Sequence, residues 1–317
     1  MVRRILALRP ERSLRRAMTG GSKPLTDGGI DGLVRLLADE DEKIRRIARE
    51  TLDAAGERAI AIVRDRARSA EDPRVRKAAE AFLGESQRKD VLGLWSDLAA
   101  QSDPDLQGGA VLIVRSEYPA ADLRPCIASL DEYAEVLRKR TAALRSPAAV
   151  VEKLNGLLFR ELGYRGNREE YYDPQNSYLN RVVDRKLGIP ITLSVICLLV
   201  ARRIGLALEG VGMPGHFLLR YRVGRKSVFL DPFNQGRELG LQDCMAYLET
   251  EGFSFREEYL KTVKDREILL RILENLLRIY HSADDKERVD RITRMIAAIR
   301  GPEGEAVGPD PTAGGQI

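Results

Sequence analysis

The chain has 317 residues, 44% apolar and 32% charged, which is typical of a soluble protein with one substantial core and smaller attachments. Its 52 basic and 48 acidic residues are interleaved and leave a net charge of +4, so we expect no nucleic-acid partner. Three scattered cysteines and two histidines argue against disulfides and a metal site, and without a signal peptide or a long apolar stretch we expect a cytoplasmic protein with no membrane partner.

The N-terminal part predicts a tail followed by a short helical repeat. Residues 1–23 are basic and lack a clear period, which indicates a flexible tail. The segment 38–52 (ADEDEKIRRIARETL) matches 69–83 (SAEDPRVRKAAEAFL), with apolar positions every three to four residues. The pattern resembles HEAT-like helical pairs over 24–87, which need a neighbouring surface because a short array cannot bury its apolar face alone.

The central part predicts a core that joins helices to an antiparallel sheet. Residues 88–150 keep a helical spacing and form the N-terminal part of this region, and the core itself spans 151–262. Its helix 191–205 (ITLSVICLLVARRIG) is apolar on every side, which indicates burial on every side. The period then changes to two, which predicts strands at 207–213, 216–223 and 227–231 before a helix near 241–250.

The C-terminal part predicts two amphipathic helices, 265–283 and 285–300, which together resemble a tetratricopeptide-type pair over 263–300. Residues 301–317 are rich in glycine and proline and are expected to be disordered. The fold class is therefore α+β and mostly helical, with a buried helix and an antiparallel sheet flanked by helical repeats.

Two residues of the predicted hairpin are candidates for chemistry. His216 begins one strand and Asp231 ends the next, so both side chains could lie at the same end of neighbouring strands. A carboxylate beside an imidazole orients it and stabilises its protonated form, which is how a general base is held. A histidine and an aspartate in a hairpin are more often structural, so the pair alone does not establish catalysis.

The order of the buried helix, the histidine strand and the aspartate strand is that of papain-like and transglutaminase-like sites. The segments GIPITLS, GVGMPGHFLLR, FLDPF and REILLRILENLLRIY resemble the transglutaminase-like SirB family of bacteria, over roughly residues 90–300. The resemblance implies a transglutaminase-like core with a tetratricopeptide tail, in which His216 and Asp231 match the imidazole and the carboxylate of a catalytic triad.

The nucleophile of that triad is missing. The resemblance places a cysteine thiolate at the start of the central helix, where the helix dipole lowers the thiol pKa, but Pro190 occupies this position. Thr192 and Ser194 are possible stand-ins, although helix capping is the more common role of hydroxyls there. Cys197 lies two turns into the helix, where a cysteine is usually an inert apolar residue.

Polar and aromatic residues before the central helix could line a groove. These candidates are Tyr172, Asp173, Asn176, Ser177 and Asn180, with Pro190 at the helix start. Helix capping and ligand binding explain such a cluster about equally well. The stretch 210–215 spells GxGxxG, but it leads into a strand and contains Pro214, so we expect neither a nucleotide nor any other cofactor.

Three functions compete. The missing thiolate favours a non-catalytic transglutaminase-like protein whose groove binds a protein or peptide partner. The second is a hydrolase or acyltransferase that uses His216 and Asp231 with Thr192, Ser194 or water as the nucleophile. The third is an adaptor in which the helical repeats do all the binding. Whether the protein is an enzyme stays open at this point, with the balance against it.

Overall fold

The computed structural model describes residues 25–301, so the predicted tails at 1–23 and 301–317 lie outside the described residues, apart from Gly301. The described chain divides into two compact units. The first contains residues 25–93 and 115–121, and the second contains residues 94–114 and 122–301.

The first unit is built from consecutive helices with one apolar stripe each. Their bounds are α1 Asp27–Leu36, α2 Glu42–Ala54, α3 Glu57–Ser69 and α4 Pro73–Ala99, whose last turns belong to the second unit. Thr26 and Asp41 cap α1 and α2 by accepting hydrogen bonds from backbone N–H groups. The repeated positions Ala48, Leu52 and Ala79 are all buried in the core of this unit. The two matching segments therefore fold as helices, and their HEAT-like character stays a prediction.

The remaining helices follow the predicted order. They are α5 Leu106–Glu117, α6 Arg124–Thr141, α7 Pro147–Asn155 (continued by a π-helical turn, Gly156–Glu161), α8 Leu179–Arg185, α9 Pro190–Arg203, α10 Leu241–Thr250, α11 Asp265–Ser282 and α12 Lys286–Arg300. Within residues 25–301, no helix is both long enough and apolar enough to cross a bilayer.

The strands form one small antiparallel sheet and one short parallel pair. Their bounds are β1 Arg165–Gly166, β2 Leu187–Gly188, β3 Glu209–Val211, β4 Leu218–Val223, β5 Lys226–Asp231, β6 Arg237–Leu239 and β7 Thr262–Val263. β1 pairs with β2 in parallel, and the five-stranded sheet has the order β6-β5-β4-β3-β7. The described chain is thus mostly helical with a small antiparallel sheet, and the predicted α+β class is confirmed.

The central helix α9 has the environment that its sequence predicts. Every residue from Pro190 to Ala201 is buried, and the helix packs against α6, α11 and β4. A helix that is apolar on all sides needs neighbours on all sides, because each exposed apolar face would cost hydrophobic free energy. Pro190 occupies the first turn, where its missing N–H costs no hydrogen bond.

One predicted strand begins too early. His216 lies in a turn before β4, which starts at Leu218, and its backbone N–H donates to the carbonyl of Met213 at 3.1 Å. Gly215 has a φ of +70°, a left-handed conformation that cannot continue a strand. The prediction that His216 opens a strand is therefore wrong, because the chain turns before it enters the ladder.

Candidate active site

His216 and Asp231 form a buried pair in the second unit. The His216 Nε2 and Asp231 Oδ2 atoms are 2.9 Å apart, and the two residues are only 8% and 4% exposed. The β4–β5 hairpin produces this contact, since Leu219 pairs with Leu230 and brings the residues before β4 next to the end of β5. The geometry matches that of an imidazole oriented by a carboxylate.

Asp231 receives two further hydrogen bonds from one neighbour. Its Oδ1 accepts from the backbone N–H of Asn234 at 3.1 Å, and its Oδ2 accepts from the Asn234 side-chain amide at 2.7 Å. Burial raises the pKa of Asp231, but the hydrogen bond and charge of His216, together with both bonds from Asn234, hold this pKa below its ordinary value. Asp231 is therefore the ionised partner of the pair.

The second ring nitrogen of His216 is the one available for chemistry. Within residues 25–301, Nδ1 has no hydrogen-bond partner. Because Nε2 donates to the ionised Asp231, the neutral form of the imidazole would carry its lone pair on Nδ1. His216 and Asp231 thus have the geometry of a general base and the carboxylate that orients it.

Aromatic rings surround the imidazole and continue to the surface. The Tyr247 ring lies 5.3 Å from the His216 ring with a tilt of 31°, and the edge-on Phe233 ring lies at 6.3 Å. Tyr171 contacts Phe233 edge-on at 5.9 Å, and Tyr172 contacts Tyr171 at 5.3 Å. Tyr172 is 60% exposed, so these rings lead from the buried pair to the surface. We call Tyr172, Tyr171, Phe233 and Tyr247 the aromatic row.

Both hydroxyls proposed as stand-in nucleophiles are engaged with the main chain. Thr192 Oγ1 donates to the carbonyl of Asn176 at 2.6 Å and accepts from the N–H of Ile189 at 3.2 Å. Ser194 Oγ donates to the carbonyl of Pro190 at 2.8 Å, one turn back along α9. These bonds cap and hold the start of α9, and a catalytic role for either hydroxyl stays a prediction.

None of the three cysteines is an activated thiol. All three are buried, and burial raises the pKa of Cys244 to about 11 and that of Cys126 to about 12. The pKa of Cys197 is raised more than either of these. A nucleophilic cysteine needs a lowered pKa and access to solvent, so these thiols are poorly suited to catalysis at neutral pH.

The predicted groove residues divide into a buried network and exposed or half-buried groups. Asn176 is fully buried, and its side chain accepts from Asn167 and donates to the carbonyls of Glu170 and Tyr171. Asp173 caps a 3₁₀ turn, Pro174–Ser177, by accepting from the N–H of Gln175 at 2.9 Å. The polar cluster therefore fixes the loop that carries Tyr171 and Tyr172.

Two of the predicted groove residues keep an unused polar atom. Ser177 Oγ and Asn180 Oδ1 are buried and have no hydrogen-bond partner among the residues that the structure describes. Such atoms are costly to leave unpaired, and functional sites are one place where they occur. A binding role for both residues remains a prediction.

Sequence reasoning missed four residues around the pair: Phe233, Asn234, Tyr247 and Arg271. Asn234 could have been found, because Asp-Pro-Phe-Asn is a capping sequence in which an aspartate accepts from the N–H three residues on. Tyr247 and Arg271 lie on α10 and α11, and no local pattern indicates that they reach His216.

Comparison with known proteins shows the family of the chain. Residues 124–274 match the transglutaminase-like superfamily. The chain is 39% identical over 218 residues to a UPF0162 protein of Xylella fastidiosa, covering 65% of this chain and 78% of that protein. A UPF0162 protein of Pseudomonas aeruginosa is 31% identical over 215 residues, covering 66% of this chain and 77% of that protein.

Another relative matches a shorter part of the chain. F-box only protein 21 of Mus musculus is 31% identical over 155 residues, which cover 46% of this chain and 24% of that protein. No solved structure is significantly similar to the chain. The extent and identity of the bacterial matches show that the chain belongs to the UPF0162 family and has a transglutaminase-like core.

Proposed function

We propose that the protein is a non-catalytic member of its family that binds a protein or peptide segment beside His216 and Asp231. The observation that carries this proposal is the position of Pro190, which begins α9 where a transglutaminase-type thiol would lie. Without a thiolate there is no acyl-enzyme, and the amide exchange of a Cys-His-Asp triad cannot run. The raised pKa values of all three cysteines support the same conclusion.

In this role the pair is structural. Asp231 joins the end of β5 to the turn that carries His216 and, through Asn234, to the following 3₁₀ turn. A buried charge with three hydrogen bonds at one point fixes the local backbone, because moving any partner leaves a polar group unpaired. The hydrogen bonds among His216, Asp231 and Asn234 therefore form a rigid wall beside which the partner would bind.

The aromatic row would form the surface that contacts the bound peptide. The side-chain network of Asn167 and Asn176 holds the loop that presents Tyr172, so little conformational entropy is lost when a partner docks. Tyrosines bury a large area and offer a hydroxyl, which suits them to the contact region of a peptide site.

The assignment of the helices outside the core rests on the resemblance to the SirB family. We propose a SirB-type cytoplasmic protein of bacteria in which HEAT-like helices over 24–87 and a tetratricopeptide-like pair over 263–300 add partner contacts. The boundaries at 88, 151 and 263 remain part of this proposal. We expect the partner to be a protein or peptide, with no nucleic acid, membrane, nucleotide, metal or other cofactor involved.

A hydrolase or acyltransferase is the second candidate, and one observation favours it. The lone pair on His216 Nδ1 is uncommitted among the described residues, as a general base requires. Because the hydroxyls of Thr192 and Ser194 are bonded to the main chain, water is the better-placed nucleophile for such an enzyme.

Binding is tested by affinity capture with the full-length protein and a matched pair of surface variants. Tyr172→Ala removes an exposed ring of the aromatic row, whereas Leu241→Ala removes a side chain that is 49% exposed at the start of α10. A partner that is lost only with Tyr172→Ala supports the proposal. A partner held equally by both variants shows that binding takes place elsewhere, as the adaptor alternative requires.

Catalysis is tested on amide and ester substrates with the wild type and His216→Ala. The proposal expects equal rates at the background level. A wild-type rate at least a hundredfold above that of His216→Ala would establish the enzyme instead, since a positioned general base typically contributes about 10²–10⁴-fold.

A further inference from the structure

The turn that carries His216 is held by a side chain from the C-terminal helix pair. Arg271 lies on α11, and its Nη2 atom donates to the carbonyl of Met213 at 2.8 Å and to the carbonyl of His216 at 3.0 Å. The N–H of His216 donates to the same Met213 carbonyl, so one guanidinium closes the turn across its two ends. Arg271 therefore binds the backbone of the residue whose imidazole forms the pair.

The glycines before His216 give this arginine its space. A side chain at Gly212 would begin 3.1 Å from the Arg271 guanidinium, and one at Gly210 would begin 2.9 Å from the Phe217 ring. The guanidinium also lies over the Phe217 ring, with its carbon 5.8 Å from the centroid. Gly212 is thus explained by the close approach of Arg271, Gly210 by that of Phe217 and Gly215 by its left-handed backbone.

Side chains other than Arg271 also hold both ends of α11. At the start of the helix, both oxygens of Asp265 accept hydrogen bonds from Arg202 of α9, at 2.5 and 2.7 Å. Near its end, the buried hydroxyl of Tyr280 is hydrogen-bonded to that of Tyr178 at 2.7 Å. Because both ends of α11 are tied by other residues, we expect the loss of the two Arg271 bonds to affect mainly the turn that carries His216.

We propose that Arg271 is a positioning residue that sets the orientation of the His216 imidazole and couples it to the C-terminal helix pair. This deepens the proposed function and rests on it, since the wall beside which a partner binds then depends on α11. A partner that displaces α11 changes the His216 site, and by linkage a ligand at His216 changes binding to the helix pair by the same factor.

Nitrogen NMR of protein labelled with ¹⁵N-histidine tests the proposal directly. The chain has two histidines, so the spectrum contains His216 and, as an internal reference, His281. Arg271→Met keeps the apolar stem and removes the donors, and Arg271→Lys keeps the charge and one donating group. Arg278→Met is the matched control, because Arg278 lies on the same helix, is exposed and donates to Asn275 within α11.

In Arg271→Met we expect the Nε2 proton of His216 to exchange with solvent on the order of tenfold faster, because the turn opens more often. The separate Nδ1 and Nε2 shifts should also move towards each other as the imidazole leaves its single tautomer, while His281 is unchanged. Arg271→Lys should fall between this variant and the wild type, and Arg278→Met should leave His216 unaffected.

Unchanged His216 signals in a folded Arg271→Met protein would overturn the proposal. So would an equal change in Arg278→Met, or an Arg271→Lys protein indistinguishable from Arg271→Met. The measurement needs no partner, so its outcome is separate from that of the binding test. The two tests can give different answers. If binding of a partner requires Tyr172 but the His216 signals do not change in Arg271→Met, the proposed function stands and the positioning role of Arg271 is refuted.

Discussion

Asp231→Asn tests whether the buried pair holds the hairpin in place. The wild-type carboxylate accepts three hydrogen bonds, from His216 Nε2, from the Asn234 side chain and from the Asn234 backbone. An asparagine has the same shape but only one oxygen. If that oxygen takes the place of Oδ2, its amide nitrogen faces the N–H of Asn234, so one acceptor is lost and two donors meet.

The cost follows from these bonds. A hydrogen bond to a charged group contributes about 1.5–3 kcal/mol, and a buried donor without a partner costs about 1–3 kcal/mol. The remaining bonds also weaken because the acceptor is now neutral. We therefore expect Asp231→Asn to lower the free energy of unfolding of the second unit by about 2–4 kcal/mol.

Urea unfolding followed by tryptophan fluorescence measures this change. The only tryptophan, Trp95, is fully buried in the second unit and reports on the unit that contains the pair. Asp131→Asn is the control, because Asp131 pairs with Arg203 at 2.7 Å but its side chain is 64% exposed, and such a pair contributes at most about 1 kcal/mol. Equal losses in the two variants would refute a structural role for the pair.

The pH dependence gives a second, independent readout. Since the pKa of Asp231 is lowered by folding, its contribution is complete above the ordinary aspartate value and is lost as the pH falls through the lowered pKa. Asp231→Asn has no such titration. The difference in stability between wild type and variant should therefore shrink on acidification through this range. A constant difference would show that the carboxylate charge does not matter.

Two further predictions concern thiols and packing. Alkylation of native Cys126 by iodoacetamide at mildly alkaline pH should be at least about a hundredfold slower than in the unfolded protein, because burial raises the pKa of this thiol from 9.0 to about 12. A native thiol that reacts rapidly would instead support a catalytic cysteine. Gly166→Ala places a methyl group 2.5 Å from the Phe233 ring and should lower the free energy of unfolding, measured by thermal unfolding, by about 1–3 kcal/mol. Gly93→Ala is the control, since it has open space in a helix and should be neutral or stabilising. Equal effects of the two variants would contradict the close approach of Gly166 to Phe233.

The helices and the hairpin could be read from the sequence because their determinants are local. The nearly continuous apolar run after Pro190 required burial, and the change to a period of two after Gly205 indicated strands. His216 and Asp231 could be paired in advance because a hairpin brings the end of one strand beside the start of its neighbour. The exact start of β4 was missed, since the left-handed Gly215 keeps His216 in a turn.

The sequence by itself thus determined the main helices, the β4–β5 hairpin, the burial of α9 and the absence of a thiol at its start, all of which depend on residues close together in the chain. Only the tertiary structure decided what surrounds the imidazole. Tyr247 and Arg271 reach His216 from helices about 30 and 55 residues away, and their positions depend on how α10 and α11 pack. Local periodicity shows which face of a helix is buried, but not which side chain that face meets.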